Sequence, residues 1–197
     1  MLIHRVEGQM IEFAIDFLID LFFFLFPISF VSRQMGLKNK KVSDLKPALE
    51  NLGFKKIAIK SFAKQTIVLF AVLVVTAVAL SALFSFFQVN DLANVAEGIG
   101  AIATFSPLLL AYFLIVRIFT EEVFFRGFLV NKVGVIPSTA VFALLHAFYF
   151  SYAEVAGAFV LGLILALWFK KNQNLIPVIV AHMLYNFFAL AFILGGI

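Results

Sequence analysis

The chain predicts an all-α polytopic transmembrane helical bundle of about six spans plus a short amphipathic surface helix. Three observations predict it. Of the 197 residues, 63% are hydrophobic and only 13% charged, where a soluble domain is nearer half apolar and a quarter charged. Mean hydropathy is +1.08. The apolar residues also fall in runs near the roughly 20 that a helix needs to cross hydrocarbon. The 27 Phe suit lipid-facing surface, because Phe favours the bilayer with no polar atom to satisfy.

Each element follows in order. The first span covers about 11–31, where Glu12, Asp16 and Asp20 recur at steps of four and share one helical face. The ten residues before it carry His4, Arg5 and Glu7 and end in no small-residue cleavage site, so the run reads as a retained span. Residues 33–64 form a basic cytoplasmic loop with nine Lys or Arg against Asp44 and Glu50. Within it, 42–53 predicts the surface helix, ended by Gly53. Span two is 66–87, followed by an acidic link at 90–97. Span three starts at Pro107, a favoured first helical position, and runs to about 132. Gly134 and Pro137 then punctuate the chain. Span four is 137–150 and span five 154–169. A turn at 170–174 leads to span six, 175–194. With no internal repeat, 1–197 is one integral-membrane domain.

Charge sets the topology. Basic residues mark cytoplasmic loops, and 33–64, Lys132 and Lys170-Lys171 recur after every second crossing. The links at 90–97 and 151–154 hold acids and no Lys or Arg. The amino terminus is then expected outside. The net charge of +4 sits beside the spans, which points to anionic lipid rather than nucleic acid. The chain has no cysteine, so disulfides, thiolate zinc sites and a cysteine nucleophile are excluded.

Ionisable groups inside apolar runs are costly and mark function by default. Glu121 and Glu122, with Arg126 four residues on, lie in span three; His146 lies in span four; His182 and Asn186 lie in span six. At 1.5 Å per residue, Glu121 is roughly 16 Å from the helix end at Lys132 and His146 roughly 14 Å from Pro137. His182 and Asn186 are roughly 8 and 14 Å from Pro177. Three helices thus bring polar groups to a similar level. Glu122 and Arg126 share a face and suit an ion pair. Glu121 is turned about 100° away and can point elsewhere. Asp16 and Asp20 read as a polar face against the bundle or the membrane surface. Gly157 and Gly162 read as close-packing positions, and Tyr149, Tyr152 and Trp168 as interfacial anchors.

These residues carry a family resemblance. Glu121-Glu122-x-x-x-Arg126, Phe142-x-x-x-His146 and His182-x-x-x-Asn186 resemble, in order, three motifs of the CaaX-protease and bacteriocin-processing (Abi) family of intramembrane proteases. The match covers roughly 107–190, the stretch of the core motifs. Six spans are fewer than the eight associated with prenyl-protein processing members. The resemblance implies an intramembrane endopeptidase at the cell membrane, its site opening toward the cytosol. In CaaX processing three residues are removed after a prenylated Cys. By resemblance Glu121 and His146 hold and activate a water, and His182 and Asn186 donate to the oxyanion. Glu122 and Arg126 are then structural. The partners implied are membrane lipid and a prenylated or hydrophobic peptide.

Two questions stay open at this level. Glu121, His146 and His182 could instead form a two-His, one-carboxylate zinc set, although no His-Glu-x-x-His helix is present; the resemblance favours a site with no metal or other cofactor. A non-enzymatic immunity or scaffold protein could use the same cavity for a peptide. A cation-coupled carrier using Glu121, Glu122, Asp16 and Asp20 predicts inverted repeats, which the six unequal spans do not offer.

Overall fold

A computed structural model describes residues 2–37, 45–89 and 91–195, with side chains from Phe13 to Ile193 within them. It is all-helical across those residues. In chain order the helices are α1 Leu2–Gln34, α2 Lys46–Asn51, α3 Ile59–Phe86 and α4 Leu92–Phe105, then α5 over 107–133. They are followed by α6 Val135–Leu145 with a 3₁₀ turn His146–Tyr149, α7 Tyr152–Asn172 and α8 Ile176–Gly195. Among the described residues, four helices are each long and apolar enough to cross a membrane: Phe13–Gln34 of α1, α3, α7, and Ile176–Ile193 of α8. The protein is a membrane protein. The segments predicted as spans three and four are helical, as α5 and α6, but neither is among these four. The first is broken by wide turns and the second is short, Val135–Tyr149. The acidic link predicted at 90–97 is largely helix, the start of α4.

Local chemistry sets the helix ends. Ser106 caps α5, its hydroxyl accepting from the Leu109 N–H at 3.2 Å, with Pro107 in the first helical position. Gly134, at φ +93°, turns the chain between α5 and α6. Ser151 caps α7, accepting from the Glu154 N–H at 3.0 Å. Asp91 reinforces that cap from the α3–α4 link, accepting from the N–H groups of Tyr152 and Ala153 and from the Ser151 hydroxyl. Burial pushes the Asp91 carboxyl up, but these donors outweigh it and hold it below its ordinary value.

The predicted surface helix is present as α2, with 42–44 outside the described residues. It does more than float on the bundle. Ala48 and Leu52 are fully buried, while Lys46, Glu50 and Asn51 face out. Gly53, at φ +103°, ends it and accepts from the Leu175 N–H at 2.8 Å, which ties α2 to the α7–α8 turn. The main core gathers there: Leu52, Leu69, Leu73, Val123, Phe169, Leu175 and Val178. A second cluster of Phe23, Phe125, Phe142, Ala143 and Ala158 joins α1, α5, α6 and α7. Trp168 packs against the main core with its indole N–H buried. Tyr152 is exposed.

Candidate active site

The helix that carries Glu121 is irregular on both sides of it. Within α5, Phe113–Arg117 and Glu122–Leu129 are π-helical, flanking the α turn Ile118–Glu121. Wide turns of this kind are rare and concentrate at functional sites. They cost regular hydrogen bonding and are retained where the re-aimed side chains matter. Here they flank two adjacent carboxylates, which differ in exposure. Glu122 is completely buried, whereas Glu121 is partly open.

Glu122 stands at the centre of a polar cage. Its Oε1 forms an ion pair with Arg126 Nη1 at 2.9 Å and accepts from His182 Nδ1 at 2.7 Å. Arg126 is equally buried. Its guanidinium lies 4.0 Å from the centre of the Phe142 ring and its Nη2 reaches the Gly162 carbonyl at 3.4 Å. A buried guanidinium is tolerable only when paired and hydrogen-bonded, and the carboxylate, the aromatic face and the carbonyl supply that together. Gly162 is required at this point. A methyl group there would meet Phe142 Cδ1 at 2.9 Å and Arg126 Nη2 at 3.2 Å. Gly157, by contrast, faces open space.

Phe142 connects the cage to His146. The His146 ring lies 4.7 Å and the His182 ring 6.3 Å from the Phe142 ring, centre to centre. His146 Nδ1 donates to the Phe142 carbonyl at 2.9 Å, since a carbonyl can only accept. In the neutral imidazole the second nitrogen, Nε2, is then the acceptor. The same logic applies to His182, whose Nδ1 proton is committed to Glu122.

The structure therefore brings Glu122, Arg126, His182, Phe142 and His146 into one contiguous group from α5, α6 and α8. Glu121, which precedes Glu122, and Asn186, four residues beyond His182 on α8, are partly buried, and neither has a side-chain hydrogen bond among the described residues. Among those residues no three His, Asp or Glu side chains converge as a metal ion would need. His182 Nδ1 faces Glu122, which leaves Nε2 as the free nitrogen of that ring.

A second polar cluster lay beyond sequence reasoning in its partners. Asp20, 2% exposed, accepts from the Tyr112 hydroxyl at 2.6 Å and the Thr120 hydroxyl at 3.0 Å, and pairs with Arg117 Nε at 3.3 Å. Arg117 Nη2 reaches Asp16 at 2.5 Å. The faces of Asp16 and Asp20 were legible from their spacing. Arg117, Tyr112 and Thr120 carry no local signal beyond a cation inside an apolar run.

No curated protein and no solved structure matches the chain. The model of one family, described as Type II CAAX prenyl endopeptidase Rce1-like, matches residues 102–188. That segment holds all three motifs and every residue of the cage. The family resemblance carried by Glu121-Glu122-x-x-x-Arg126, Phe142-x-x-x-His146 and His182-x-x-x-Asn186 is thus borne out: over 102–188 this membrane protein is similar to the Rce1-like CAAX prenyl endopeptidases, a family of proteases.

Proposed function

We propose that the protein is an intramembrane endopeptidase that hydrolyses a peptide bond in a membrane-held substrate by glutamate-activated water. The substrate class is the carboxy-terminal tail of a prenylated CaaX peptide. One observation carries the reading. The reactive-type groups of three separate helices meet around Phe142 and Glu122, in the segment that matches the protease family.

Glu121 acts as the base. It takes a proton from a water molecule as the water oxygen bonds to the scissile carbonyl carbon. The carbon–nitrogen bond then breaks, and Glu121 returns the proton to the leaving amine. His146 orients the water through Nε2, because its Nδ1–H is held by the Phe142 carbonyl. Asn186 donates from its amide to the oxygen that becomes negative. His182 presents Nε2 to the same oxygen, and donation from that atom requires the doubly protonated ring, whose other proton is held by Glu122. A donor of this kind is worth about 3–4 kcal/mol at the transition state. Glu122 and Arg126 hold the cage and do not touch substrate. The site works without metal and opens toward the basic, cytoplasmic side, where a prenyl anchor leaves the peptide at the right depth.

The test is cleavage of a fluorogenic farnesylated CaaX peptide by detergent-purified protein. Wild type cleaves, and Glu121→Gln loses at least about a hundredfold in kcat while KM changes little. Full activity in Glu121→Gln would remove it as the base. No cleavage of any prenylated peptide by wild type would instead favour a peptide-binding immunity or scaffold protein.

A further inference from the structure

Two glutamates on α5 have an arginine one turn away, and their situations are opposite. Glu122 has Arg126 four residues later and is paired with it. Glu121 has Arg117 four residues earlier, the spacing at which opposite charges on a helix ordinarily pair. The intervening turn, Ile118–Glu121, is regular α-helix, so the spacing holds. Yet Arg117 pairs with neither glutamate. Its guanidinium is drawn to α1, where Asp16 takes Nη2 and Asp20 takes Nε.

We propose that Asp16 and Asp20 are positioning residues that keep Arg117 off Glu121, leaving that carboxylate free to act on water. The inference rests on Glu121 being the base. Two features carry it beyond a simple helix tie. One carboxylate would neutralise one guanidinium, but α1 presents two, on one face at a four-residue step. Asp20 is also locked in place by the Tyr112 and Thr120 hydroxyls, the latter on the residue immediately before Glu121. A fixed, doubly acidic partner outcompetes a single carboxylate on the arginine's own helix. The π-helical turn that ends at Arg117 widens the helix where the side chain leaves it toward α1. This layer lies partly outside the family-matched segment, since α1 precedes residue 102.

The test uses the full chain in detergent with the farnesylated peptide. In Asp16→Asn/Asp20→Asn, Arg117 is released toward Glu121. An opposite charge at that range perturbs a carboxylate by one to three decades of protonation equilibrium. A fall in kcat of about tenfold or more is expected, with KM within about threefold. In the triple variant Asp16→Asn/Asp20→Asn/Arg117→Gln the released guanidinium is gone, and most of the lost kcat returns. A merely structural tie predicts the opposite, because the triple variant removes one more tie residue and gains nothing. Gel filtration and thermal melting verify that both variants are folded. Wild-type kcat in the double variant, or a triple variant as impaired as the double, would overturn the inference. If Glu121→Gln keeps full activity, the base assignment itself fails, which is a separate result.

Discussion

Replacing Glu122 by Gln removes one charge from the cage and almost no volume. Glu122 and Arg126 are 0% and 1% exposed, so the guanidinium is left charged and buried. Breaking a buried ion pair by removing one partner costs about 3–5 kcal/mol. Two features place the expected loss near the lower end. The amide oxygen of Gln still accepts from His182, and the Phe142 ring at 4.0 Å retains a cation–π contact worth about 2 kcal/mol when desolvated. A destabilisation of about 3 kcal/mol is therefore expected, a large share of the roughly 5–15 kcal/mol that holds a typical fold. The assay is reversible unfolding in mixed micelles, with wild type and variant at the same detergent ratio. Glu122→Leu combined with Arg126→Met supplies the control. Replacing both partners with apolar groups removes the uncompensated charge, so the pair should be more stable than Glu122→Gln while cleaving nothing. Glu122→Gln within 1 kcal/mol of wild type, or a double variant less stable than the single, would refute the cage.

Three further outcomes follow from the geometry. Gly162→Ala places a methyl group 2.9 Å from Phe142 and should cost about 1–3 kcal/mol, while Gly157→Ala, into open space within a helix, should be neutral to stabilising by up to about 1 kcal/mol by the same unfolding assay. Asp91 is held below its ordinary value of 3.8 by the α7 cap, so its contribution is present above that pH and is lost as pH falls through the folded value. Thermal melts from pH 6 to 2 should show this acid-side loss in wild type and a flatter profile in Asp91→Asn. Activity should survive prolonged treatment with a strong chelator, with no zinc by elemental analysis of the active fraction; proportional loss and restoration by zinc would contradict the metal-free reading.

Hydropathy made the long helices legible because lipid imposes length and apolarity on each span regardless of its neighbours. The i,i+4 spacing also exposed Glu122 with Arg126, a contact local to one helix. Other parts of the site were invisible for a physical reason. Which of two adjacent carboxylates meets His182 depends on the absolute rotation of α5 against α8, and the π-helical turns change that rotation without a compositional mark. Asp20 and Thr120 are 100 residues apart in sequence, so no periodicity connects them. Phe142 was legible as a motif residue, but its service as a face for Arg126 depends on Gly162 of another helix. The docking of α2 was likewise hidden, since an apolar face of Ala48, Leu49 and Leu52 suits lipid as well as the bundle.

The most direct measurement is mass spectrometry of a farnesylated CaaX peptide incubated with the purified protein in water enriched in oxygen-18. Hydrolysis at the proposed bond predicts a released tripeptide and one heavy oxygen in the new carboxylate of the farnesylcysteine product, both absent with Glu121→Gln. An intact peptide with wild type, or the same labelled product from Glu121→Gln, would contradict the account.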